Sequence, residues 1–510
     1  MLEIVKTASF AGMDAIDVTC EVDSARGLPA FHVVGLGDAA VKEAGDRVRA
    51  AVINGGYEYP RGRVTVNLYP AWIRKKGSHF DFPIAMGILA VTGAVRQGKL
   101  NGKAFIGELS LEGRLIPVRG MLPMLRGLGE EIREVYVPEG NAREAALCLR
   151  GTDKNVIAVR MLKQAVNWVN SNGAPPYVIS GELRGSESSL DYSDVKGLWA
   201  AKDAIVTAVS GGHGLLMIGP PGSGKTMLAE RIPTILPHMS PEEQLETSMV
   251  YSIKGGLRGR VPLVTQRPFI RATPGMTGVN ILGGGSEPLP GEISLAHNGV
   301  FFMDEFLEFD RRKIEALRKP LEEKKIVMIR RGMNYTYPAD VIFIAASNPC
   351  KCGYFGDPEK ACRCTPYELD LYRSRLSGPL ADRIDMSVTI QRVNFESLEG
   401  VTSDDSKIMK EKVMKAMDMQ ERRFRGTDIR KNSMMTEKQV REFCPLGREE
   451  KSFLEKIYRR YSLSPRRYYK LLKIARTACD VQGRKDIDIA GLNTAAAYTE
   501  FLNAYGKYGE

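Results

Sequence analysis

A lysine and a threonine behind a glycine-rich turn, two adjacent carboxylates, one asparagine and four clustered cysteines are the side chains whose types and spacing could do chemistry. In "LLMIGPPGSGKTML" an apolar run enters G-x-x-x-x-G-K-T, and a helical stretch follows. The loop Gly219, Pro220, Pro221, Gly222, Ser223, Gly224 can turn consecutive backbone N–H groups onto phosphate oxygens. Lys225 then reaches the β- and γ-phosphates, and Thr226 offers its hydroxyl to Mg²⁺. The implied ligands are ATP and Mg²⁺. Further on, "GVFFMDEF" carries Asp304 and Glu305 at the end of an apolar run. A carboxylate placed there holds the metal ion and its waters, and the next one orients or deprotonates the attacking water. Asp304 takes the first role and Glu305 the second. "DVIFIAASN" delivers Asn348 to the edge where a γ-phosphate and its water would stand. Asparagine also ends strands for local reasons, so Asn348 gains its meaning from the other two motifs.

Cys350, Cys352, Cys362 and Cys364 form two C-x-C pairs in "NPCKCGYFGDPEKACRC", directly after Asn348. Four thiolates can surround one Zn²⁺, and with every ligand position filled by protein the metal would be structural. Lys351, Lys360 and Arg363 would offset the surplus negative charge. Free thiols and a redox-active pair are the alternatives. The other cysteines, Cys20, Cys148, Cys444 and Cys479, are dispersed and read as packing residues. The closeness of the pairs to Asn348 suggests a brace between that residue and the arginine at 383.

Elements must position these groups. Residues 1–170 alternate strand-like runs ("EIVKTASF", "IDVTCEV", "RVTVNLY") with helical-period stretches, which makes an α/β domain. Residues 171–194 are polar and rich in Gly, Pro and Ser, and read as a linker. Residues 195–392 carry the three motifs at the ends of apolar runs, as a mostly parallel sheet flanked by helices requires. Residues 393–510 have helical period with basic faces and read as a helical domain. At 43% hydrophobic and 26% charged the chain should be globular throughout. The longest apolar stretch, "PIAMGILAVTGAV", is too short to span a bilayer and no leader is evident, so we expect a cytoplasmic protein with no membrane partner. A net charge of +11 permits a polyanionic partner.

The order of "GPPGSGKT", "FFMDE", "AASNP", "SGPLADRIDM" and "LSPRRYYKLLKIARTACDV" resembles the AAA+ ATPases. More narrowly the chain is similar to the magnesium-chelatase-like group called YifB or ComM, through "GGGSEPLPGEISLAHNGVFFMDE", "LRKPLEEKKIVMIRR", the C-x-C pairs and "GLPAFHVVGLGDAAVKEAGDRVRAAV". The resemblance implies an AAA+ P-loop parallel sheet with a helical lid, preceded by a Lon-protease-like (ribosomal S5 domain 2-like) α/β domain. It makes Asn348 the sensor-1 residue and Arg383 an arginine finger reaching a neighbouring subunit's ATP. Arg466 becomes the sensor-2 arginine of the lid. From the residues alone, Arg383 could equally pair with Asp382 or Asp385, and Arg467 stands beside Arg466.

The same resemblance implies two insertions facing the pore of a ring. One lies in residues 267–285, the other is a hairpin at 327–341 with Arg330, Arg331, Asn334 and Tyr335. Two arginines in a hairpin also fit a merely solvated surface. Where the group carries adjacent histidines this chain has Thr273 and Pro274, so no role for that pair transfers. In the Lon-like region Ser78 stands near the place of a nucleophilic serine, but Leu122 occupies the place of the lysine base. That domain is therefore expected to lack the catalytic lysine and proteolysis with it. The resemblance implies a homo-hexameric ATPase acting on single-stranded or branched DNA, as a helicase or branch-migration factor in recombination or natural transformation. The alternatives are a chelatase-type ATPase remodelling a protein partner and, third, an ATP-dependent Lon-like protease.

Overall fold

A computed structural model describes residues 2–179, 189–257, 263–330, 332–376, 381–392 and 404–505. Arg331 lies outside the described residues, as do residues 180–188 of the segment read as a linker.

The amino-terminal unit is built on a seven-stranded mixed sheet. Its strands are β1 (Leu2–Ala11), β2 (Asp14–Ala25), β3 (Ala30–Val34), β4 (Arg63–Tyr69), β5 (Lys103–Phe105), β6 (Glu134–Pro138) and β7 (Asn155–Val159), in the order β3-β4-β2-β1-β5-β6-β7. The apolar stretch that looked longest in the sequence becomes helix α1 (Asp81–Val91), buried from Asp81 to Ala90. A helix apolar all round belongs in a core, and α1 packs across β1 and β2. Among the described residues no helix is long and apolar enough to cross a membrane.

The central sheet is all parallel. It consists of β8 (Leu215–Ile218), β9 (Phe269–Ala272), β10 (Val300–Met303), β13 (Ile342–Ser347) and β14 (Met386–Thr389), in the order β9-β10-β13-β8-β14. An antiparallel hairpin, β11 (Lys325–Arg330) and β12 (Met333–Pro338), precedes β13. Every residue of β8, β10 and β13 is buried, which is why these strands read as continuous apolar runs. Alternation still sorts them: Leu215, Met217 and Phe302 face one core, Leu216, Ile218 and Phe301 the other.

The first of those cores holds helix α2 (Trp199–Gly211) and continues into the carboxy-terminal helices α5 (Ser406–Arg423), α6 (Arg448–Tyr461), α7 (Pro465–Val481) and α8 (Ile489–Tyr505). Between α2 and α5 run the short helix α3 (Lys225–Glu230) and helix α4 (Pro241–Lys254). Ser240, Pro241 and Glu243 start α4 with a capping box, and Gly255 ends it in the left-handed region.

Two segments depart from the sequence reading. Asp191 to Asp194, assigned to the linker, is folded into the central unit. The Tyr192 hydroxyl donates to the Leu228 carbonyl at 2.8 Å, Asp194 pairs with Arg231 at 2.9 Å, and Tyr192 is fully buried. Its polar neighbours masked one buried aromatic. Residues 269–272, assigned to a pore insertion, are the edge strand β9 of the sheet, paired with β10 from Phe269↔Val300 to Ala272↔Met303.

The amino-terminal unit docks on the central one at two places. Leu122, fully buried, packs against Met249, Leu257 and Leu263, and Gly120 N–H donates to the Ser252 carbonyl at 2.9 Å. Met13 N–H donates to the Thr336 carbonyl at 3.2 Å, and Lys76 Nζ donates to the Tyr335 hydroxyl at 2.7 Å. The position where a lysine base was sought therefore belongs to an apolar contact with α4. We expect Leu122→Ala to lower stability by about 2–5 kcal/mol, read as a fall in thermal midpoint. Leu122→Lys should destabilise without conferring casein cleavage.

Candidate active site

Register places the motifs. Ile218 lies opposite Ser347 and Met303 opposite Ala345, so Gly219, Asp304 and Asn348 leave the sheet at one edge. Ligands of parallel sheets bind beyond the carboxyl ends of the strands, and all three sequence-predicted groups meet there. Gly222 and Gly224 both have positive φ, the backbone the loop needs to turn its N–H groups inward.

Lys225 Nζ donates to the carbonyls of Gly219 (2.7 Å) and Pro220 (2.9 Å) and to Asn348 Oδ1 (3.3 Å). Burial pushes its pKa down to about 8, against the opposing pull of Asp304 and Glu305. A phosphate would supply the anion that this amine lacks, so the residues present fit the nucleotide. Thr226 Oγ1 donates to Asp304 Oδ2 at 3.2 Å, and these two residues would hold Mg²⁺. Glu305 N–H donates to Asp304 Oδ1 at 3.0 Å. Glu305 itself is exposed with φ 54°, a strained backbone for a non-glycine residue of the kind that collects at functional sites.

One group at this edge escaped the sequence reading. Arg271, in β9, places Nη2 2.5 Å from Asp304 Oδ2 and Nη1 3.7 Å from Glu230 Oε1. A cation at the end of an apolar strand neighbouring the Asp304 strand was the available signal. It was hidden because the segment was assigned to an insertion.

The candidate finger and lid arginines lie at the opposite end of the sheet. Arg383 precedes β14, beside Gly214, which precedes β8, and Gly214 N–H donates to Asp385 Oδ2 at 3.1 Å. Strands of this length separate the two edges by about 13 Å. Arg383 pairs with neither Asp382 nor Asp385. It forms a close ion pair with Glu322, while Asp385 pairs with Lys470 at 2.5 Å. Arg466, in the first turn of α7, reaches the same Glu322 at 3.5 Å. Arg467 instead binds Asp382 at 3.0 Å and the Leu502 carbonyl at 2.9 Å, which separates the two neighbours. Arg383 and Arg466 thus share a cavity of about 610 Å³ with Lys470 and Lys473. Among the described residues Nε and Nη1 of Arg383 are buried there without a hydrogen-bond partner.

The four cysteine sulfurs lie within 4.8 Å of one another, and Cys350, Cys352 and Cys362 are 3.4 to 3.7 Å apart. Sulfurs at the corners of a tetrahedron around Zn²⁺, each about 2.3 Å from it, are about 3.8 Å apart, so the set can hold such a metal ion. The contacts of this loop lie at the phosphate-loop end of the sheet. Gly353 rests against Pro221 of the phosphate loop, where a Cβ would come within 2.7 Å, and Asp357 pairs with Arg392 at 3.4 Å. The cysteine loop therefore follows Asn348 and touches the phosphate loop and the chain after β14, whereas Arg383 sits at the other end of that strand.

Of the hairpin residues, Arg330 and Asn334 are exposed, but Tyr335 is buried under Lys76, whose ammonium lies 5.1 Å from the ring centroid. Tyr335 is spent on docking and leaves the set of exposed polymer-facing groups. Ser78 Oγ bonds Glu108, and no described lysine hydrogen-bonds it.

This fold and phosphate-binding edge define an ATPase of the magnesium-chelatase-like AAA+ class. Residues 191–398 match the family described as "Magnesium chelatase, subunit ChlI", residues 20–141 "Subunit ChlI of Mg-chelatase" and residues 403–499 "Magnesium chelatase, subunit ChlI C-terminal". "Competence protein ComM" of Haemophilus influenzae is 36% identical over 515 residues, covering 99% of each chain. "Uncharacterized protein YifB" of Escherichia coli is 37% identical over 504 residues, covering 98% of this chain and 97% of its own. The chain belongs to this YifB/ComM family of magnesium-chelatase-like proteins.

Binding of a phosphate beside Lys225 favours the charged amine, so ATP binding near pH 9 should take up about one proton and weaken as pH rises above about 8. Calorimetry in buffers of different ionisation enthalpy reads the uptake, which Lys225→Ala should abolish. Metal analysis should find one zinc ion per chain, lost in a Cys362→Ser, Cys364→Ser double variant together with part of the ATP affinity.

Proposed function

We propose that this ATPase works as a closed ring of six copies that draws DNA through its central opening, as a helicase or branch-migration factor. The observation that carries the ring is the pairing of Arg383 and Arg466 on Glu322, at the strand edge remote from their own phosphate loop. Guanidiniums held there serve an anion brought by another copy, and a head-to-tail contact that closes generates a ring. Within it, Arg383 and Arg466 act on the neighbour's γ-phosphate, Asn348 and Glu305 position the water, and Asp304 with Thr226 hold Mg²⁺. The zinc ion in the cysteine loop is structural.

DNA is supported by the net charge of +11, by exposed Arg330 at the hairpin tip and by the name of the Haemophilus relative, a competence protein. One observation favours a second reading, a protein substrate: the outward face of β11 carries exposed Val327 and Ile329. The amino-terminal unit, read as Lon-like, binds and couples without hydrolysing peptides, since Leu122 is buried in packing.

Branched or single-stranded DNA should raise the ATPase rate of wild-type protein, with binding that weakens steeply with salt. Absence of both would leave the protein-substrate reading. Arg383→Ala should still bind ATP but turn over about 10³–10⁵-fold more slowly. Mixing it with Lys225→Ala protein should restore part of the rate, because each variant supplies what the neighbouring copy lacks.

A further inference from the structure

Asp304 Oδ2 is contested. It accepts the Thr226 hydroxyl at 3.2 Å and the Arg271 guanidinium at 2.5 Å. A divalent ion held by Asp304 and Thr226 would compete with Arg271 for this carboxylate, whose other oxygen accepts the Glu305 N–H. The Asp304 side chain is 12% exposed, and Arg271, at 45%, has room to swing. A second anion already stands on its other side, Glu230 Oε1 at 3.7 Å, at the end of the helix that follows the phosphate loop.

The acids explain why a cation is needed. Asp304, Glu305 and Glu230 gather at one edge, where Lys225 is turned toward carbonyl oxygens. Without Arg271 this trio would attract a bare divalent ion, which is the largest local charge such a site can hold. With Arg271 in place, a metal must displace a guanidinium from a short ion pair. The displacement becomes favourable when the nucleotide's phosphates arrive with the metal and add their own negative charge.

We propose that Arg271 is a cationic placeholder for the divalent metal, holding Asp304 Oδ2 until metal and nucleotide enter together and then moving to Glu230. It is a positioning residue whose effect is to make metal binding depend on nucleotide. The inference rests on reading Asp304 and Thr226 as the metal-binding pair.

Mn²⁺, followed by its electron paramagnetic resonance signal, tests this on the full chain with no nucleotide present. Wild-type protein should bind Mn²⁺ weakly, and Arg271→Gln on the order of tenfold more tightly, since the competing charge is gone. Arg271→Lys, which keeps a cation, should stay near wild type. The tight Mn²⁺ site of Arg271→Gln should vanish when Asp304→Asn is added. Equal Mn²⁺ affinity of wild type and Arg271→Gln, at unchanged thermal midpoints, would show a fixed ion pair and overturn the placeholder. So would a tight site that survives Asp304→Asn. A fluorescent ATP analogue with Mg²⁺ separates the two levels: binding with equal Mn²⁺ affinities overturns the placeholder alone. Failure of wild-type protein to bind the analogue overturns the nucleotide site itself.

Discussion

Parallel pairing of β8 with β13, and of β13 with β10, is the constraint on which the rest of the molecule depends. It carries Gly219, Asp304 and Asn348 to a common edge although they are far apart in the chain. A slip of one residue in any of these pairs would turn the buried side chains to the wrong face. The apolar runs that fix the register are therefore as necessary to the site as the polar residues behind them. Helices on both faces keep the strands dry, and the polar groups begin where the strands end.

That arrangement gives the sheet two electrically different ends. At the carboxyl edge Lys225 and Arg271 answer Asp304, Glu305 and Glu230. At the amino edge Arg383 and Arg466 converge on a single carboxylate, Glu322, with Lys470 engaged by Asp385. Among the described residues Nε and Nη1 of Arg383 find no acceptor, and burial makes such donors costly to leave unanswered. The carboxyl edge thus gathers the phosphate-loop lysine with the acids, and the amino edge sets two guanidiniums on one acid.

The amino-terminal unit is tied to this machine by packing as well as by hydrogen bonds. Leu122 fills an apolar contact with α4, and Lys76 holds Tyr335 of the hairpin that leads into β13. Asn348 is thus linked by short contacts in two directions, through the hairpin toward the amino-terminal unit and through Gly353 toward the phosphate loop.

Much was legible in the chain itself, because it is written in contiguous residues. The phosphate loop, the acidic pair, Asn348, the paired cysteines and the apolar runs each lie within a few positions. Local backbone chemistry converts such patterns into a loop, a strand end or a metal cradle. What only the tertiary structure decided are meetings across long separations. Arg383 and Arg466 reach Glu322 over 61 and 144 residues, Lys76 reaches Tyr335 over 259, and Arg271 reaches Asp304 across neighbouring strands. A charged side chain has several candidate partners of opposite sign in the sequence, and Arg383 took neither of the two beside it. Burial and strand order choose among them, since an ion pair forms where packing brings the two charges together out of water.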